Sequence, residues 1–566
     1  MKLLIRGESV YDGTGAAPFP CDILVEDGVI AEMGPRSGTE PGFGSGPSGS
    51  GLTVISGKTV CPGFIDIHRH CDSAVFDLTQ FGKTELLQGI TTVVCGNCGM
   101  SPVPLNSIHR NEYYQYIEPV TGPITGSVTE PETPDLPGND IHNFVPVNSR
   151  FENYGAYRQA LENFPLPLNF GFLAGAGAIK TAVKGFSKLP FTAGEMSAAK
   201  RLIHEAFDTG VLGLSFGLMY QPECYSGFDE LTEFAKTAKA AAGTSGTILC
   251  FHIRGEGGSL VESVDEVIRI AGAADLRANI SHFKATGINN WRSLIYRAIE
   301  KIEDARYLGL DITADFYPYN GGSTTILSLI PPAFMEDGVD ALSKNLANKY
   351  YRDSFRAAIK APCSGWDNMV TSIGWDRIIL SSVYLDRHQS WCGRSMEDIA
   401  RGENYEDPTE LLAELVRSEQ GRTGIITFSM DQTDIDTIAA LPWTCLISDS
   451  LYNSAGSPHP RLNGAFPKFL REYVRERKIL SMEQAIYKMT GMPAARLNLK
   501  NRGILKKGCA ADILIFDPIK FRDRADYSNP SAMAEGLDAV ILNGKIVYNK
   551  NVFDKPNGKV IAVKQK

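Results

Sequence analysis

Apolar residues in this chain come in short runs, and the distance between runs changes along its length. Over residues 1–61 the runs are strand-sized: Leu3-Leu4-Ile5, residues 22–26, Val29-Ile30-Ala31 and Thr53-Val54-Ile55, with Asp27-Gly28 as a hairpin turn. Residues 34–51 between them are rich in Gly, Ser and Pro and read as a loose surface loop. The same character returns from about Gly503. Residues 512–516 form one strand, and 539–548 form a hairpin through Asn543-Gly544. Neither end is large enough to fold alone, so the pattern predicts one small β domain, a β-sandwich of residues 1–61 plus 503–566.

The middle, residues 62–502, alternates apolar strands with longer helical stretches, the signature of βα units and a parallel sheet. Eight strands are expected, at 64–70, 91–96, 169–174, 211–216, 248–253, 278–283, 311–317 and 444–448. Helices are expected at 195–208, 227–242, 259–272, 290–308 and 481–490. The fold class is therefore α/β, a (β/α)8 barrel with its site at the C-terminal ends of the strands. The stretch 320–440 is too long for a loop and predicts an inserted, largely helical subdomain, with a possible strand at 377–383. Residues 105–165 predict a long loop over the site.

Composition narrows the partners. The chain has 566 residues, 65 acids against 56 bases and no basic block, which argues against nucleic acid or an anionic membrane. No apolar run is long enough to span a bilayer, and the first residues turn polar too soon for a signal peptide. Eleven scattered cysteines point to reduced thiols in a cytoplasm rather than a disulfide framework. Oligomeric state is left open.

The chemistry concentrates at the expected strand ends. In Phe64-Ile65-Asp66-Ile67-His68-Arg69-His70, two imidazoles at i and i+2 of a strand share a face and can meet on one metal ion. Cys98 follows strand two, His252 and His282 end strands five and six, and Asp449 follows strand eight. Six such residues on one rim of one barrel form a metal-ligand pattern. Gly255-Glu256-Gly257-Gly258 lacks the lysine-serine/threonine ending of a phosphate loop. Glu256 is instead a candidate partner for a ligating histidine. His109, His142, His204 and His388 have no partner pattern.

This arrangement resembles the amidohydrolase superfamily. Finer motifs resemble its D-aminoacylase (N-acyl-D-amino-acid deacylase) family: Gly96-Asn97-Cys98-Gly99, Gly213-Leu214-Ser215-Phe216-Gly217-Leu218, Ser281-His282-Phe283-Lys284, Tyr317-Pro318-Tyr319 and His459-Pro460-Arg461-Leu462-Asn463-Gly464. The resemblance implies a zinc enzyme that hydrolyses N-acyl-D-amino acids, small-molecule substrates. It implies that Cys98 and His252 hold a tight zinc faced by His282. His68, His70 and Asp449 would then border a second, weaker site, and Asp449 would act as general base. Arg461, Lys284, Tyr319 and Ser323 are the candidates for the substrate carboxylate and carbonyl. The chain departs from the family at Arg69, where a small polar residue is usual, and at Ser450, where glycine is commoner. Two alternatives stay open: a cyclic amidase of the hydantoinase or dihydroorotase kind, and a non-catalytic barrel scaffold.

Overall fold

Strand Leu52–Pro62 runs through Gly63 straight into the short strand Phe64–Asp66, so one extended segment links two sheets. Gly63 is required there: a Cβ would stand 2.1 Å from Thr91 Oγ1 on the next strand. The structure, a computed structural model, describes residues 2–35, 52–79, 81–121, 151–361, 366–452 and 456–562. Most of the 34–51 loop, the centre of the 105–165 stretch and His142 lie outside these residues.

From Phe64 onward the strands are Phe64–Asp66, Ile90–Cys95, Asn169–Phe172 continued by Ala174–Gly175, Gly213–Gly217, Ile248–His252, Arg277–Ile280, Ile312–Phe316 and Thr444–Leu446. Each pairs in parallel with the next. The last and first strands are joined by contacts that include a parallel bridge of His70 with Leu451, Asp449 N–H to His68 O at 2.9 Å, and His70 N–H to Ser450 O at 3.0 Å. The (β/α)8 barrel is as the sequence implies. Almost every strand residue is buried, because helices cover the outer face and side chains fill the interior.

Three strands differ from expectation, among them the sixth, which stops at Ile280 rather than 283 and leaves His282 on the turn beyond it. The first stops at Asp66 rather than running to 70, because the Asp66 carboxylate accepts from Ser448 N (3.1 Å) and His68 N (3.4 Å) and replaces the ladder. The third breaks at Leu173, so that its first half pairs with strand two and its second with strand four. The main helices, Ala193–Asp208, Phe228–Ala242, Leu260–Ala274, Leu294–Tyr307 and Met482–Met489, fall close to their expected ranges. Thr192 with Glu195, and Ser481 with Gln484, start two of them as capping boxes.

Both chain ends enter one eight-stranded sheet, in which Leu52–Pro62 pairs in parallel with Lys2–Val10 and antiparallel with Ile513–Phe516. Its own core includes Leu3, Ile5, Ile23, Val25, Ile513 and Ile541. Asp27-Gly28 and Asn543-Gly544 turn with positive φ at both residues, as two-residue hairpins require. Between strands seven and eight, Gly322–Thr325, Gly424–Thr427 and Ile378–Ser382 form a small antiparallel sheet, with helices such as Lys349–Lys360 and Pro408–Ser418 around it. This insert shares a hydrophobic core with helix Arg110–Thr121, so loop and insert cover the barrel mouth together. Among the described residues no helix is long and apolar enough to cross a membrane, and the cysteines are free.

Candidate active site

His252 ends its strand, while Cys98, His282 and Asp449 leave theirs on backbone turns that aim them at the mouth. Cys98 (φ 54°), His282 (φ 35°) and Asp449 (φ 49°) are all in the left-handed region, which non-glycine residues enter at a cost of roughly 1–2 kcal/mol each. Local bonds hold them there. Ser215 Oγ accepts from Gly99 N (3.1 Å) and donates to Gly96 O, fixing the Cys98 turn from strand four. Asp315 on strand seven accepts from His282 N at 2.5 Å and from Asn279 Nδ2 at 2.5 Å. The seam bonds described above fix His68, His70 and Asp449.

The donor atoms converge. Cys98 Sγ lies 3.3 Å from His68 Nε2 and 3.5 Å from His282 Nε2. Asp449 Oδ1 lies 3.4 Å from His68 Nε2 and 3.3 Å from His70 Nε2. A zinc tetrahedron with N, O and S arms of about 2.0–2.3 Å has edges of about 3.3–3.7 Å. These four contacts match those edges, in two groups of three donors that share His68, and imidazoles with a thiolate and a carboxylate are the donors zinc prefers. His252 joins differently: its ring is 4.4 Å from that of His282, and its Nε2 is 3.3 Å from Met219 Sδ and 4.0 Å from Glu256 Oε1. The tight groups therefore pair Cys98 with His68 and His282, place His70 with His68 and Asp449, and set His252 with Glu256 and His282.

The electrostatics suit a cation. Burial and then Lys284 push His282 well below the usual histidine pKa, and burial and then His282 do the same to His252, so both imidazoles stay neutral and able to ligate. Burial and nearby carboxylates raise the Cys98 thiol well above its usual pKa, a charge deficit that a metal ion reverses. Burial alone would raise Asp449, but Arg461 and His68 outweigh it and hold the carboxyl well below its ordinary range.

Around the donors lies a cavity lined by Met100, Met219, Lys284, Tyr317, Ser323 and Met369, among others. Lys284 Nζ bonds Glu256 Oε1 at 2.5 Å and lies 2.8 Å from His282 Nδ1. Arg461 Nη1 stands 2.8 Å from Asp449 Oδ2, its Nη2 donates to Ser323 O at 3.2 Å, and its guanidinium lies 4.6 Å from the centre of the Tyr317 ring. Arg461 Nε has no hydrogen-bond partner among the described residues.

The comparisons agree with this geometry. Residues 414–548 match the model of an amidohydrolase family. A D-aminoacylase of Alcaligenes xylosoxydans xylosoxydans is 29% identical over 99% of this chain and 97% of its own. An N-acyl-D-aspartate deacylase of the same organism is 29% identical over 99% and 94%. The crystal structure of N-acyl-D-glutamate deacylase from Bordetella bronchiseptica, complexed with zinc and a phosphonate inhibitor, superposes with a TM-score of 0.77 at 28% identity, covering 99% of both chains. Over its full length the chain is similar to the D-aminoacylases and N-acyl-D-amino-acid deacylases, amidohydrolases.

Within this D-aminoacylase relative, Lys284 and Ser323 line the cavity, Arg461 lies beside it against Asp449 and Tyr317, and Tyr319 does not line it. Its hydroxyl donates to Pro460 O at 3.4 Å and its ring packs on His459, because Pro318 ends the strand before it. Tyr317, two residues earlier and in phase with Asp315, faces the cavity instead. Tyr317 and Asp315 were both missed by sequence reasoning. Their shared parity on strand seven was the available signal. Arg69, the departure between the paired histidines, points away from the donors. It is fully buried and bonds Tyr452 Oη (2.7 Å), Glu85 (2.5 Å), Ser448 (3.1 Å) and Asp66 (3.3 Å). His388 pairs with Glu419 and stacks on Trp391, and His459 bonds Gly321 O, so both are structural.

Proposed function

We propose that this chain is a zinc-dependent hydrolase that cleaves the amide bond of N-acyl-D-amino acids to a carboxylate and a D-amino acid. The observation that carries the reading is the zinc-sized spacing of Cys98 with His68 and His282, and of Asp449 with His68 and His70, beside the cations Lys284 and Arg461. D-handedness rests on the relatives' substrates. His68, Cys98 and His282 would hold the principal ion, with Asp449, His70 and His252 at its margins. Zinc bound there supplies a Lewis acid that acidifies water and polarises a carbonyl. Asp449 Oδ1 takes the attacking water's proton and returns it to the leaving nitrogen. Arg461 orients Asp449 through Oδ2, and its free Nε, with Lys284, receives the substrate's α-carboxylate. The division into a terminal β domain (1–61 with 503–566) and an insert-bearing barrel, in a cytoplasmic setting, is part of the same reading.

The cavity wall supports a neutral side chain. Met100, Val120, Met219, Met369 and Leu451 line it, and Lys284, already paired with Glu256, is the one Lys or Arg among its described lining residues. An acidic side chain would find no unpaired cation there. A cyclic amidase would call for a carboxylated lysine on strand four, where Ser215 stands.

A panel of paired N-acetyl-D- and N-acetyl-L-amino acids, Met, Leu, Glu and Asp, tests the reading with zinc content measured alongside. D-Met and D-Leu forms are expected to turn over ahead of D-Glu and D-Asp, and the L forms to be spared. Zinc-loaded protein that releases nothing from any D form would overturn it.

A further inference from the structure

The glycine-rich turn after His252 grips a carboxylate from the insert. Asp367 Oδ2 accepts from Glu256 N at 2.5 Å and from Gly257 N at 2.7 Å. A Cβ on Gly257 would stand 2.9 Å from Asp367 Oδ1, and one on Gly255 3.0 Å from Oδ2. The close approach therefore needs glycine on both sides of Glu256. Successive backbone N–H groups facing an anion make a concave nest with a fixed positive potential. The other side of the turn is tied down as well, by Thr286 N–H to Glu256 O at 2.8 Å.

Glu256 lies between these two anchors, and its side chain reaches into the cavity. Its Oε1 takes Lys284 Nζ at 2.5 Å and stands 3.0 Å from His282 Nδ1. The one other described contact of the Glu256 carboxylate is His252 Nε2 at 4.0 Å, so its direction depends largely on the backbone of the turn. Met369, two residues beyond Asp367, lines the same cavity.

We propose that Asp367 is a positioning residue: through the Glu256 and Gly257 amides it fixes the Glu256 carboxylate, and with it the Lys284 ammonium and the His282 ring. The insert is then more than a cover, since it supplies the anion that sets the recognition cation in place. The proposal rests on the reading that Lys284 receives the substrate carboxylate.

The test is a double-mutant cycle in the full-length zinc-loaded protein, using Asp367→Ala, with Asp367→Asn as the milder variant should the alanine form fold poorly. In the wild-type background kcat/KM for N-acetyl-D-methionine is expected to fall about tenfold, mainly through KM, with zinc content unchanged. In a Lys284→Met background the same change is expected to add less than about twofold, because the group it acts through is gone. Equal losses in both backgrounds would overturn the proposal, since a merely structural clasp acts additively. Amide hydrogen exchange over residues 254–258 reads the grip without turnover. Faster exchange there in Asp367→Ala, with the barrel strands unchanged, supports it, and unchanged exchange overturns it. Absence of wild-type hydrolysis would overturn the deacylase reading instead, leaving exchange to decide the grip.

Discussion

The floor of the site and its wall are built in different ways. The floor is made by the barrel: His68, His70, Cys98, His282 and Asp449 leave four strand ends, and each is tied to a neighbouring strand by a backbone or buried side-chain bond. The wall is made by additions. Met219 comes from the loop after strand four, while Ser323, Met369, Thr427 and Ser429 come from the insert, which packs on its own core with helix Arg110–Thr121. Reaction chemistry needs donors fixed to fractions of an ångström, which a closed sheet provides. Substrate selection needs a surface that can change without disturbing that frame. Lys284 belongs to both, since it follows the sixth barrel strand and is aimed through a turn that the insert holds.

Breaking the floor should cost most. Cys98→Ala is expected to lose zinc and to lower turnover by about 10³-fold or more while keeping the fold, checked by metal analysis and circular dichroism. Retained zinc and activity would remove the thiolate from the account. Asp449→Asn is expected to keep zinc and lower kcat by about 10²-fold or more. The wall should yield binding defects instead. Arg461→Met is expected to raise KM by about tenfold, and an analogue lacking the carboxylate should lose little further.

A buried acid beneath the floor predicts a pH effect on stability. Burial, opposed by the Gly217 N–H, pushes Glu223 up to about 8. From about pH 4.5 to 8 the folded state keeps a proton that the unfolded chain gives up, so stability falls as pH rises through that window. Glu223→Gln should flatten this slope, seen as a Tm that no longer drops by several degrees between those limits. The smallest effect expected is for Tyr319→Phe, within about twofold of wild type in kcat/KM, because its hydroxyl serves only Pro460 O.

The floor was legible in the sequence and the wall was not, for a physical reason. Parallel strands announce themselves as apolar runs, and a histidine, cysteine or aspartate at the end of such a run has one place to go. The eight strands and the six candidate ligands could be read that way. How the ligands group could not: whether Cys98 meets His68 or His252 depends on left-handed turns at Cys98 and His282 that no spacing reveals. Tyr319 misled because the eye follows the Tyr-Pro-Tyr motif, while the strand's parity stops at Tyr317. The insert's contacts, Asp367 on the glycine turn above all, join residues 110 apart in sequence and leave no local trace.

Anomalous diffraction at the zinc edge tests the central claim most directly. The account predicts one strong peak about 2.0–2.3 Å from Cys98 Sγ, His68 Nε2 and His282 Nε2, with Asp449 in reach. Zinc-loaded crystals with no peak there, or with the ion held by residues outside this set, would contradict it.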